Sequence, residues 1–272
     1  MHIYDYSDKD NPKLSEIETV TKIREMPWMY PSVTTILKAI PNPFIETWRV
    51  KKAIELKGNN PDATYEEINE LMWGLPKCPE TGDAIPSRDF GTRAHGRIED
   101  LANIWIKELI PSFKGDIYDL FDKKINDEEL DESPYDTFAY PILDYFMDNN
   151  IKPIETERLI ACDKMKIAGR LDLIAVVDSR IALFDYKFRD CSAKNRGKFY
   201  DSDCYQLAIE ADMLNNIEDL GFIPDIYSVC VCNVTGNVYP KKWSNMMKDR
   251  GISMAKAARD FYFQYNLLNK HI

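Results

Sequence analysis

The sequence predicts a mixed α/β (α+β) protein, with a central sheet of mixed strand direction flanked by helices and a helical addition on its N-terminal side. Three observations predict it. The first half of the chain spaces its apolar residues as helices do. The middle switches to β-branched and aliphatic runs over 153–162, 166–177 and 181–188. The last third reads helix, hairpin, helix. Helices, then a strand meander, then alternating elements pack as helices on a sheet. With 272 residues, 44% of them apolar, the chain is long enough for one large domain. We expect an arm and helical cap region over 1–86 and a core over 87–272, with an acidic insertion at about 112–136.

The elements follow in order. The first thirty residues are polar and without clear period, an irregular arm or an edge hairpin. Pro31-Ser32-Val33-Thr34-Thr35-Ile36-Leu37 reads as a helix start with Ser32 as N-cap, and Pro41 and Pro43 end it. A second helix is expected from Ile45 to Leu56, stopped at Gly58. A third covers 62–73, and Pro76, Pro79, Gly82 and Pro86 mark a loop. From Ser87 to Glu108 runs a long amphipathic helix with Ile98, Leu101, Ala102 and Trp105 on its stripe. Another covers 135–149, with Phe138, Ile142, Tyr145 and Phe146 at helical spacing. Asp178-Ser179-Arg180 is the turn signal between the last two strands of the meander. A helix over 200–215 follows, then a hairpin of 225–234 with 237–242 around Thr235-Gly236, and a final helix over 244–268.

Charge and cysteine use narrow the function classes. The net charge of −10 argues against indiscriminate nucleic-acid binding, but its distribution is uneven. Residues 116–136 hold nine acids against Lys123 and Lys124, a local charge of −7. Lys187, Arg189, Lys194, Arg196 and Lys198 outweigh Asp190 in one short segment, a basic patch or simply a solvated face. The six cysteines are scattered, which fits buried or inert thiols better than a disulfide framework. Cys230 and Cys232, the close pair, fall on one face of a strand, and no four-cysteine spacing for an iron–sulfur cluster is present. Neither a signal-peptide pattern nor an apolar membrane span is found, so a cytoplasmic protein without a membrane partner is expected.

The chemistry concentrates in Gly169-Arg170-Leu171-Asp172 and, one hairpin later, Asp185-Tyr186-Lys187. Two carboxylates and a lysine stand in otherwise apolar strands, where charge is costly unless paired or bound to a metal. A two-residue loop at Asp178-Ser179 would set Asp172 opposite Asp185. A loop at Ser179-Arg180 would set it opposite Lys187, and a three-residue loop opposite Tyr186. Asp185 and Lys187 share a face because side chains alternate along a strand. Two carboxylates so close repel unless a proton or cation lies between them, and such oxygen-rich sites suit Mg²⁺ or Mn²⁺. The alternative is a structural Asp–Lys pair across the hairpin. Upstream, Gly91-Thr92-Arg93-Ala94-His95-Gly96-Arg97-Ile98-Glu99 puts His95 and Glu99 on one helical face. An imidazole there can be a further ligand, and the carboxylate can orient it or bind Lys187. Downstream, Tyr205-Gln206 lies on a helix, where Gln206 can bond a phosphate, a base or the lysine.

Together, G-T-x-x-H-x-x-x-E, G-x-L-D, D-Y-K and a helix with Y-Q resemble the RecB-like branch of the PD-(D/E)XK nuclease superfamily. Tyr30-Pro31-Ser32-Val33-Thr34-Thr35-Ile36-Leu37, with Trp48 after it, is similar to phage exonucleases and to the mitochondrial genome maintenance exonuclease. The resemblance covers about residues 30–265. It implies a restriction-endonuclease-like core and a Mg²⁺- or Mn²⁺-dependent deoxyribonuclease. It further implies metal ligands at His95, Asp172 and Asp185 and at the Tyr186 carbonyl, a catalytic Lys187, and supporting roles for Glu99 and Gln206. Where the family often has a tyrosine four residues after the glutamine, this chain has Glu210. Some relatives carry an iron–sulfur cluster, which the cysteine spacing here does not support.

The function expected is therefore an exonuclease acting on single-stranded DNA ends in replication, repair, recombination or degradation. Arg93, Arg170, Tyr205 and Gln206 are candidate DNA contacts, and Trp48, Trp73 and Tyr205 are candidate base-stacking rings, with core packing as the alternative for each. Two other readings stand beside it. One is a flap or junction endonuclease of the same chemistry; the other is an inert nucleic-acid-binding partner of replication or recombination proteins.

Overall fold

A computed structural model describes residues 2–5, 13–16, 29–41, 43–109, 124, 130–191 and 197–268. Most of the acidic segment, together with Lys194 and Arg196 of the basic segment, lies outside them, as does the Trp73 side chain. At the N-terminal side, β1 (His2–Asp5) pairs antiparallel with both β2 (Lys13–Glu16) and β3 (Met29–Pro31). The edge hairpin is thus the alternative that forms, widened to three strands. Ser32 caps α1 (Val33–Leu37) by accepting the Thr35 N–H at 3.1 Å. Next come α2 (Pro43–Asn59) and α3 (Tyr65–Trp73), the latter opened by a capping box between Thr64 and Glu67.

The main sheet is the mixed one expected, flanked by helices. Its strands are β4 (Lys152–Cys162), β5 (Ile167–Val177), β6 (Arg180–Arg189), β7 (Asp225–Cys232) and β8 (Val238–Lys242), and they lie side by side in chain order. All pairs are antiparallel except β6 with β7. That parallel pair needs a crossover, supplied by α6 (Asp201–Glu218). On this face α6 packs with α1 and with α7 (Asn245–Leu268), burying Val33, Ile36, Ile174, Leu183, Leu207 and Ile252. On the other face α4 (Ser87–Leu109) and α5 (Asp136–Asp148) bury Ile98, Leu101, Ile142 and Phe146 against Leu173, Phe184 and Val229. The apolar stripes predicted for these helices are the ones the sheet covers. Arg97, itself buried, holds α4 to the start of α5 with two bonds to Asp136, at 2.5 and 3.0 Å. That pairing fixes which side of α4 faces the sheet.

The β5–β6 turn decides the register. Val177 pairs with Arg180, so the loop is Asp178-Ser179. Both loop residues have positive φ, 49° and 63°, the twist a two-residue hairpin requires. The ladder then runs to Leu173 with Phe184 and ends there, just before Asp172 and Asp185. Along β5 the alternation breaks at that point, because Leu171 and Ile174 enter the same core cluster. No helix among the described residues is long and apolar enough to cross a membrane.

Candidate active site

The site forms where β5 and β6 part. Beyond Leu173 the strands stop pairing, and the Asp172 carboxylate accepts the Tyr186 backbone N–H at 2.9 Å in place of the missing ladder bond. α4 lies over this opening. His95 Nε2 sits 3.1 Å from the Tyr186 carbonyl oxygen, and Nδ1 sits 3.5 Å from Asp172 Oδ2. A neutral imidazole has one donor and one acceptor, and here both ring nitrogens face acceptors. One contact is therefore lone pair against lone pair unless the ring carries a second proton or a cation fills the space. Octahedral ligands at about 2.1 Å from Mg²⁺ lie about 3 Å from one another, close to these separations.

Asp185 and Lys187 project toward α6. Lys187 Nζ donates to Asp185 Oδ1 at 2.6 Å and to Gln206 Oε1 at 3.4 Å. The Gln206 amide donates to the same Asp185 oxygen at 3.3 Å and to Glu210 Oε1 at 3.4 Å. Asp185 is 2% exposed, and its other oxygen, Oδ2, is buried without a protein partner. Burial pushes the Asp185 carboxyl up to about 7, with Asp172 adding to the rise and Lys187 opposing it. Burial works against the Lys187 charge, but the Asp185 and Asp172 charges outweigh it and hold the lysine above its ordinary range. In its bonds to Asp185 and Gln206, Lys187 is the donor. Burial, then the Asp185 and Asp172 charges, raise the Glu210 carboxyl well above its usual range.

Two adjoining groups result: His95, Asp172 and the Tyr186 carbonyl beneath α4, and Asp185, Lys187 and Gln206 toward α6, so Asp185 is not among the ligand atoms that converge on His95. The remaining candidates are placed differently. Glu99 lies near Arg170 and Glu157, and Lys187 is bonded to Asp185 and Gln206 instead; burial raises the Glu99 carboxyl. Arg93 is bonded to Glu80 at 2.5 Å and to the Cys78 sulfur. Arg170 pairs with Glu157 at 2.7 Å. Tyr205, expected among the DNA contacts, is buried in the core beneath α7, so its ring offers no face to a base. Trp48 is half-exposed on α2. In the basic segment Arg189 is taken by a two-bond pair with Asp203, both bonds 2.8 Å, and lies over the exposed ring of Tyr200. Cys230 and Cys232 are buried thiols, with Cys191 beside Cys230.

No protein-family model matches the chain, and no curated protein matches its sequence. The solved structures similar to it include these two. One is a protein of Eubacterium rectale named "Putative exonuclease", 12% identical with a TM-score of 0.38, covering 71% of this chain and 68% of its own. The other is SSO0001, 14% identical with a TM-score of 0.27, covering 80% of this chain and 85% of its own.

One residue of the site escapes sequence reasoning. Glu157 of β4 stands on the rung across from Asp172, and its carboxylate, His95 and Asp172 offer ligand atoms all within 4.8 Å of one another. Burial pushes the Glu157 carboxyl up to about 7, helped by the Asp172 charge and opposed by Arg170. The available signal was the four-residue loop that joins β4 to β5, which sets Cys162 against Ile167 and carries Glu157 to Asp172.

Proposed function

We propose that the protein is a metal-dependent nuclease of the RecB-like PD-(D/E)XK type that hydrolyses DNA phosphodiesters, acting as an exonuclease on single-stranded ends. The observation that carries this reading is the meeting of His95, Asp172 and the Tyr186 carbonyl. There, acceptor groups crowd one small space, and on the neighbouring residue Asp185 one carboxylate oxygen is buried without a protein partner. A chain gains nothing from such crowding unless a cation relieves it. The donor set is imidazole, carboxylate and carbonyl, which suits Mg²⁺ or Mn²⁺.

His95, Asp172, Asp185 and the Tyr186 carbonyl would hold the cation. Bound there, it supplies Lewis-acid polarisation of a phosphoryl oxygen and a more acidic water. The protein's own groups do the rest. Lys187, kept charged by its two aspartates, lies beside the ligands and stabilises the negative charge that grows on the phosphoryl oxygens. Gln206 fixes the lysine by accepting from it while donating to Asp185 and Glu210, so the amide has one orientation. The Tyr186 N–H holds the Asp172 carboxylate by the same oxygen, Oδ2, that faces His95.

The experiment is release of nucleotides from 5′- and 3′-labelled single strands with Mg²⁺. Release by the wild type, lost with chelator and strongly reduced in Lys187→Ala, is expected. No release, or equal activity in the variant, overturns the reading. A covalently closed single-stranded circle separates the modes, because cutting of the circle requires an endonuclease.

A further inference from the structure

We propose that Glu157 is an additional ligand of the same divalent cation, and that Arg170 holds it in reserve when the cation is absent. The inference rests on the metal-site reading above and adds a residue that the motif order does not contain.

Four observations lead to it. First, Glu157 has φ of +50° within β4, a conformation that costs a non-glycine residue energy and that nothing in strand pairing asks for. Its neighbours Thr156 and Arg158 keep the ladder with Leu173 and Leu171, so the distortion is confined to the Glu157–Asp172 rung. The turned residue delivers its carboxylate to the side where α4 presents His95. Second, the ligand atoms of His95, Glu157 and Asp172 converge within 4.8 Å, the one such group among the described residues. Third, the site keeps buried polar atoms without partners. Asp185 Oδ2 is one, and the Tyr186 hydroxyl, on a residue 3% exposed and acted on by the charges of Asp172 and Glu157, is another. Fourth, Glu157 has a cation already, because Arg170 Nε lies 2.7 Å from Oε2. Arg170 is half-exposed and carried on the same strand as Asp172, two residues away. It can therefore turn to solvent without disturbing the core.

The pair of facts, a carboxylate aimed at the site and a half-exposed guanidinium resting on it, describes a competition. Without the metal, Arg170 neutralises Glu157. With the metal, Glu157 turns onto the cation and Arg170 is released at the rim. A purely structural Glu157–Arg170 pair makes the opposite prediction for loss of the arginine, which is what allows a test.

The test is calorimetric titration of Mn²⁺ into the full chain, with wild type, Glu157→Gln, Arg170→Gln and the double variant compared. Melting in chelator first confirms that each is folded. Glu157→Gln should weaken Mn²⁺ about tenfold or more, by loss of one charged ligand. Arg170→Gln should tighten it several-fold, since its competitor is gone. The double variant should behave as Glu157→Gln, because the two effects act through one carboxylate. Glu157→Gly, which suits the positive φ, should raise the melting temperature in chelator while weakening Mn²⁺ as Glu157→Gln does. Wild-type affinity in Glu157→Gln, or weaker binding in Arg170→Gln, would overturn this inference alone. Absence of Mn²⁺ binding by the wild type would overturn the metal site itself, and with it this inference.

Discussion

At its turn the β5–β6 hairpin is a closed ladder of five rungs, from Val177 with Arg180 to Leu173 with Phe184. One rung further it opens, and Asp172 gives its carboxylate to the Tyr186 N–H. The closed end is built from side chains that α4, α5, α6 and α7 cover on both faces. The open end exchanges pairing for acceptors: two aspartates, a carbonyl and a glutamate across the next strand. The same two strands thus serve stability at one end and, in the function we propose, chemistry at the other. The difference arises where strands diverge, because backbone groups there need new partners and a carboxylate can supply them.

Breaking each end separately should give opposite results. The largest effect belongs to Asp172→Asn. Its amide oxygen can still accept the Tyr186 N–H, so the fold should survive. The loss of one ligand charge should lower cleavage on the order of 10³-fold, the several kcal/mol a metal contributes at about 1.4 kcal/mol per decade. Single-turnover rates beside circular dichroism check this. Next, Leu173→Ala at the closed end should cost about 3 kcal/mol of stability, as a buried cavity does, while Mn²⁺ affinity stays within a few-fold. Denaturant melts and calorimetry on the same sample decide it. An equal loss of metal binding would show that the two ends are one unit.

The partition was partly legible in the sequence. The Asp178-Ser179 loop was one of three that the sequence left open, and positive φ at both residues selects it and the ladder that ends at Leu173 with Phe184. His95 and Gln206 were legible by helical spacing and motif order. Three things were not. Glu157 needs its own left-handed backbone, which has no local signal, although the β4–β5 loop sets its place across from Asp172. Arg93 finds its partner Glu80 in a proline-rich loop thirteen residues upstream, whose path only packing determines. Tyr205 adjoins Gln206 in sequence, yet lies on the other side of α6, beneath α7, where Gly251 lets the two helices approach. A ring that is buried and a glutamine that reaches the site are one residue apart, about 100° around a helix.

Smaller effects sharpen the comparison. Gln206→Ala removes the bonds to Lys187 and Asp185 without removing a ligand, and should slow cleavage about tenfold, as loss of a partner behind a metal ligand does. A wild-type rate would place Gln206 outside the mechanism. The metal-free protein should also show a pH dependence of stability. Asp185 and Glu157 each sit at about 7, above the ordinary carboxyl range. The native state therefore holds protons that the unfolded chain has lost. Their contribution is full below about pH 4 and disappears as pH rises through 7. Denaturant melts in chelator at pH 5 and pH 8 should show this decline, and a Glu157→Gln, Asp185→Asn double variant should show less of it. An unchanged slope in that variant would remove both groups from the explanation.

The central claim is that a cation held at the open end of the hairpin contacts the phosphodiester that is cut. A single-stranded oligonucleotide with one phosphorothioate linkage tests it most directly, because sulfur binds Mg²⁺ poorly and softer ions better. With Mg²⁺ the wild type should stall at the sulfur-substituted linkage of one diastereomer, and Mn²⁺ should restore cutting there. Equal cutting of sulfur and oxygen linkages with Mg²⁺, or no cutting of either strand with either ion, would contradict the account.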